Sequence, residues 1–327
     1  MCSRYILNQH REWLHLNTFG DRPCARSGQS SVVVRDKIYV FGGCDGVVDY
    51  NDLHCFDTVM HEWSVMHSEG GPTPRAAFGM CAGPGAEDFT IACGSNTQYM
   101  SAYSYGWSYD TRRRKWTELF ESPKALYGVS ICWHGHILLM YAGTTGSEYC
   151  NHLYAFDLRI AGVVKVSTSG SCPSRRYKHE SVIVDDCMYI LGGGSFAPTE
   201  SCMYINQLNL RSLVWQQVKV QNDTSTPRTA FSCCVDPETL KVWVFGGFDA
   251  DNTRIQAFQN YDLTSNEWKV VQTVCSPDAR AFHSVIYAQG SLYLMLGANG
   301  KRKLMMFGNI EFEALHPRCK CWQRTHI

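Results

Sequence analysis

Between residues 30 and 63 the chain is cut into short apolar runs by polar turns. The string SSVVV breaks at Arg35-Asp36, KIYVF ends on Gly42-Gly43, LHCF ends on Asp57, and Trp63 follows six residues after that Asp. Runs of about five residues, rich in β-branched and aromatic side chains and bounded by turn formers, predict strands rather than helices. The same pattern returns along the chain. A basic residue opens each copy (Arg26, Arg75, Lys124, Arg175, Arg228, Arg280), at intervals of 49, 49, 51, 53 and 52 residues. A small pair closes the second run: Gly42-Gly43, Cys93-Gly94, Ala142-Gly143, Gly192-Gly193, Gly246-Gly247 and, more weakly, Leu296-Gly297. An Asp or Asn precedes the Trp position by six residues in five copies, at Asp57, Asp110, Asp157, Asn209 and Asp262, with Val163 replacing Trp in the third.

One gap of six is unremarkable, but five in register with a period near 50 define a repeat. Asp or Asn at the end of a third strand suits an Asx-turn into a fourth. The Gly pair suits a strand exit that needs torsions, or a close approach, which a side chain would block. Small residues fill each first run (Ser30-Ser31, Ala76-Ala77, Ser130, Ser181, Ala230, Ser284), as crowding around an axis demands. Four antiparallel strands repeated radially form a β-propeller. The expectation is an all-β, six-bladed ring over residues 1–311 with a C-terminal tail at 312–327. The cysteine and alanine that replace glycine at Cys93 and Ala142, and Val163, predict looser packing. In the sixth copy, residues 304–310 are expected as the third strand, and residues 10–17 around Trp13 complete the last blade. A rival closure uses Cys321-Trp322.

Composition narrows the function. Lys plus Arg equal Asp plus Glu at 30 each, so no net field favours nucleic acid or an anionic membrane. The first residues lack a signal-peptide core, and no run reaches the length of a membrane span. Most of the 16 cysteines lie in apolar runs, where Cys acts as a small hydrophobe. Reduced thiols and a cytoplasmic or nuclear protein are expected. Metal motifs are absent: His134-Gly135-His136 reads as a hairpin turn, Cys150-Asn151-His152 as a strand entry, and Cys319-Lys320-Cys321 has no second pair at zinc spacing. No cofactor is implied, and no phosphate loop or nucleophile elbow occurs.

The Gly pair after an aromatic-rich strand, then aromatic-Asp, then Trp, resembles the kelch repeat, and the resemblance covers about residues 5–311. It implies that the loops entering the first strands and leaving the Gly pairs share one face. There Arg26, Arg75, Lys124, Arg175, Arg176, Arg228 and Arg280 would form a ring of cations, with Tyr50, Tyr99, Tyr149, Tyr177, Phe196 and Phe248 beside it. Guanidinium forks grip carboxylates in pairs of hydrogen bonds, and Arg and Tyr anchor interfaces. The implied ligand is a protein or peptide segment with an acidic stretch or a C-terminal carboxylate. Arg26-Ser27-Gly28, Leu126-Tyr127-Gly128 and the segments 176–180 and 189–194 are similar to a branch of kelch-domain substrate receptors of cullin-RING ubiquitin ligases. That likeness implies elongin B/C and a cullin as partners, with Leu315 and Cys319 starting an elongin-binding box that Pro317 interrupts. Some kelch propellers are enzymes, so the alternative is catalysis on a sugar or other small molecule.

Overall fold

The computed structural model describes residues 12–68, 70–195, 203–274, 276–300 and 312–316. The protein is an all-β propeller. Among the described residues its strands form six sheets; in five, four strands run outward in sequence order from an inner strand, and the sixth takes its outermost strand from Glu12–His15. Unit one is typical: Ser30–Val34, Lys37–Phe41, Leu53–Asp57 and Glu62–Val65 pair antiparallel in that order. Asx-turns make the last reversal as the sequence indicates. Asp57 accepts from the amides of Val59 and Met60, and Asn209 and Asp262 repeat the arrangement.

Two cyclic sets of backbone hydrogen bonds tie the six units. In the first, the second glycine of each pair donates to the carbonyl of the residue opening the next unit. The donors are Gly43 to Arg75, Gly94 to Leu126, Gly143 to Arg176, Gly193 to Arg228, Gly247 to Arg280 and Gly297 back to Arg26. A Cβ on Gly43 would stand 2.8 Å from the Gln29 amide nitrogen, and its φ is +90°, so only glycine fits. In the second, the residue two past each opener donates to its counterpart in the preceding unit: Gly28 to Phe282, Ala77 to Gly28, Gly128 to Ala77, Lys178 to Gly128, Ala230 to Lys178 and Phe282 to Ala230. All six have φ between 53° and 71°.

Six apolar cores lie between neighbouring sheets, the last joining units six and one through Met295, Tyr293, Ile38 and Trp63. Each outer-strand Trp covers the preceding unit, not the following one. Trp116 meets Phe41 at 5.2 Å and Trp215 meets Tyr141 at 5.3 Å. Cys93 and Ala142 are fully buried, and their φ values of 63° and 57° match the glycines they replace.

Three boundaries differ from expectation. The third strand of unit six is Phe312–His316, whereas residues 304–310 lie outside the described residues. The sheet therefore extends past residue 311 and includes Leu315, which is paired with Leu292 on one side and Trp13 on the other. The fourth strand is Glu12–His15, shorter than residues 10–17. Trp13 packs edge-on to Phe245 and Phe258 of unit five, the place a unit-six Trp would take. Cys321 and Trp322 lie outside the described residues.

Candidate functional site

The opening arginines do not form a ligand ring. Arg26, Arg75, Arg176, Arg228 and Arg280 are at most 6% exposed. In each, Nε donates to the carbonyl two residues back, and Nη1 donates to the carbonyl of the first residue of its own small pair: Gly42, Cys93, Gly192, Gly246 and Leu296. Arg26 adds a two-point pair with Asp52 at 2.5 and 2.8 Å, which His54 buttresses at 2.9 Å. Despite the cost of burial, that pairing raises the Arg26 pKa and lowers that of Asp52. Arg75 has no carboxylate, and burial lowers its pKa to about 10. A guanidinium bonded to its own unit, with its backbone carbonyl bonded to the previous one, is a rivet between sheets.

Two of the basic residues stand outside the opening register that the spacing predicts. Lys124 lies within the long strand Lys115–Leu126 and pairs with Glu148; the opening position of unit three belongs to Leu126, 1% exposed. Arg175 is exposed, and Arg176 takes the buried position. Tyr50 is also engaged, its hydroxyl donating to Asp45 at 2.6 Å and its ring stacking under Arg26 at 4.0 Å. Tyr99 is 78% exposed beside Met100, Val47 and Val48, where Asp49 clasps Thr97 across the two loops. Phe196 and Cys319 lie outside the described residues.

The remaining aromatics converge near the axis. Tyr177 meets Tyr149 at 5.2 Å and Tyr127 at 6.2 Å, and Phe248 meets Phe282 at 5.6 Å. Lys178 links the two groups, its ammonium 4.6 Å from the Tyr177 ring centre and 4.5 Å from that of Phe282. Arg254 stacks on Phe248 at 4.9 Å, and its buried Nε has no partner. Among the described residues neither cation has an acidic partner. Burial lowers the Lys178 pKa to about 8. Aromatic faces attract cations weakly but leave their donors open to an anion. The sequence held a signal for Lys178. Two past each opener the units read Gly28, Ala77, Gly128, Lys178, Ala230 and Phe282, so one charge stands in a ring of otherwise uncharged residues.

A radial array of antiparallel sheets with its loop residues gathered on one face defines a propeller of the interaction-scaffold class. The Attractin/LZTR1 beta-propeller model matches residues 91–326, and the KLHDC2/KLHL20/DRC7 Kelch-repeats domain matches residues 3–121. The chain belongs to the kelch-repeat β-propeller family. It is 24% identical to acyl-CoA-binding domain-containing protein 4 of Arabidopsis thaliana, over 97% of this chain and 48% of that protein. It is 22% identical to kelch domain-containing protein 10 of Rattus norvegicus, over 85% of this chain and 61% of that protein. To the Drosophila melanogaster homolog of the latter it is 27% identical, over 54% of this chain and 32% of the relative. The chain spans about half the length of the first curated relatives it matches.

Proposed function

We propose that the protein is a six-bladed propeller, latched by its N-terminal strand, that binds a protein segment on the face carrying Lys178. The observation that carries this reading is the array Lys178–Phe282–Phe248–Arg254, two cations backed by aromatic rings with no acidic partner among the described residues. The segment is anionic, through acidic side chains or a terminal carboxylate. Exposed Tyr99, Met100, Val47 and Val48 offer it apolar contact on the same scaffold. Arginine geometry argues against the original ring of cations, so anion binding falls to Lys178 and Arg254.

In its finer form, the protein presents that segment to a cullin-RING ligase in the cytoplasm or nucleus, as the likeness to kelch-domain receptors suggests. Leu315 stands in a strand paired on both sides, not in a helix. Fluorescence anisotropy with an acidic peptide ending in a free carboxylate tests the site. Lys178→Met with Arg254→Met should weaken binding at least tenfold without lowering the melting temperature, and normal binding by the double variant refutes it. Failure of the intact chain to co-precipitate elongin B and C removes the ligase reading alone.

A further inference from the structure

The axial channel encloses about 250 Å³, small beside the roughly 300–1,000 Å³ of sites for drug-sized ligands. Its wall carries hydroxyls of Ser30, Ser130, Ser181, Ser232 and Ser284, and one carboxylate, Glu180. Counting four past each opener, the units read Ser30, Gly79, Ser130, Glu180, Ser232 and Ser284. Four of the serines join neighbouring units, Ser181 through the Cys132 thiol at 3.3 Å. Ser30 donates to the Phe78 carbonyl, Ser130 bonds His179 Nε2 at 2.8 Å, and Ser232 accepts from the Val285 amide. Glu180 makes no such bond and no ion pair among the described residues. Lys178 stands two residues earlier, in the bend that leads into the strand Glu180–Val184, and lines the same channel. The two are not paired with each other. One narrow channel therefore holds an ammonium and a carboxyl group at successive depths, each without an opposite charge.

We propose that the axial channel binds a small zwitterion, its carboxylate on Lys178 and its amine on Glu180. The reading shares Lys178 with the peptide face and otherwise stands apart from it. A lone ammonium and a lone carboxyl group in one confined space are each poorly solvated when charged, and a ligand carrying both complements pairs both at once. The serine hydroxyls satisfy its remaining polar atoms. Burial raises the Glu180 pKa to about 8, so at neutral pH the amine docks with loss of the Glu180 proton to solvent. The other titratable groups lining the channel are Cys81, Cys132, Cys233, His179 and His283, all held neutral by burial at that pH.

Calorimetry in two buffers of different ionisation enthalpy tests this on the full chain, with glycine, 4-aminobutyrate and 6-aminohexanoate as probes and butylamine and butyrate as one-ended controls. At least one amino acid should bind tenfold or more tightly than either control, with release of a proton. Glu180→Gln and Glu180→Ser, the latter matching four other units, should each lose that proton release and at least tenfold in affinity while still binding the acidic peptide. Binding of no amino acid, equal binding of a one-ended control, or unchanged affinity in both Glu180 variants overturns the proposal. Loss of peptide binding alone, with the zwitterion still bound, counts against the peptide face instead.

Discussion

The openers and the axial position stand only two residues apart, and they use positive charge in opposite ways. At the opener, Arg is repeated in five of six units, buried, and bonded through Nε and Nη1 to carbonyls. At the axial position, Lys occurs once, half-buried, against two rings. Repetition marks what the ring needs in order to stand. The single departure marks what this ring does that its other units do not.

The largest effect that would sharpen this contrast is on stability. Arg228 donates to the carbonyls of Gly246 and Ala257 and to Gln259, with no exposure. Arg228→Met strands those acceptors, so chemical denaturation should show a loss of roughly 3–5 kcal/mol. A loss below about 1 kcal/mol would mean the arginines are not rivets. Lys178→Met alone should melt at the same temperature as the parent, or higher, because it removes a poorly solvated ammonium.

A smaller effect concerns acid. Burial and the neighbouring Arg280 lower the His283 pKa to about 3, below its ordinary value of 6.5. The unfolded chain then binds the extra proton, and stability falls as pH drops from about 6.5 towards 3. The position three past the opener is Phe in units two and five (Phe78 and Phe231), so His283→Phe should flatten that acid limb without loss at pH 7. For Glu180 the sign reverses. Its pKa is raised to about 8 from 4.5, so its contribution declines as pH rises between those values, and Glu180→Gln should remove that decline. Least affected of all should be Lys124→Ala, whose partner Glu148 is exposed; no shift in melting temperature is expected.

The fold was largely legible in the sequence because Gly43, Asp57, Trp63 and their counterparts answer local demands: a left-handed torsion, a turn, a face to cover. The site was not, for two physical reasons. An Arg in a polar loop reads as exposed until its carbonyl acceptors, 16 to 18 residues away, are known. In unit three the basic residue nearest the expected spacing was Lys124, while the position itself held Leu126, since the carbonyl accepting from Gly94 comes from any residue type. Lys178 and Glu180 became visible only when the units were set in register by their hydrogen bonds.

The strand at residues 12–15 pairs with the one at residues 312–316, joining two stretches about 300 residues apart in the sequence. On the ribosome the first of these emerges early and waits through the synthesis of nearly the whole ring before its partner exists. Until then the strand that carries Trp13 has no third strand of the last sheet to pair with. The nascent chain thus carries an unmatched strand while the ring between these two stretches is made, a natural client for a chaperone.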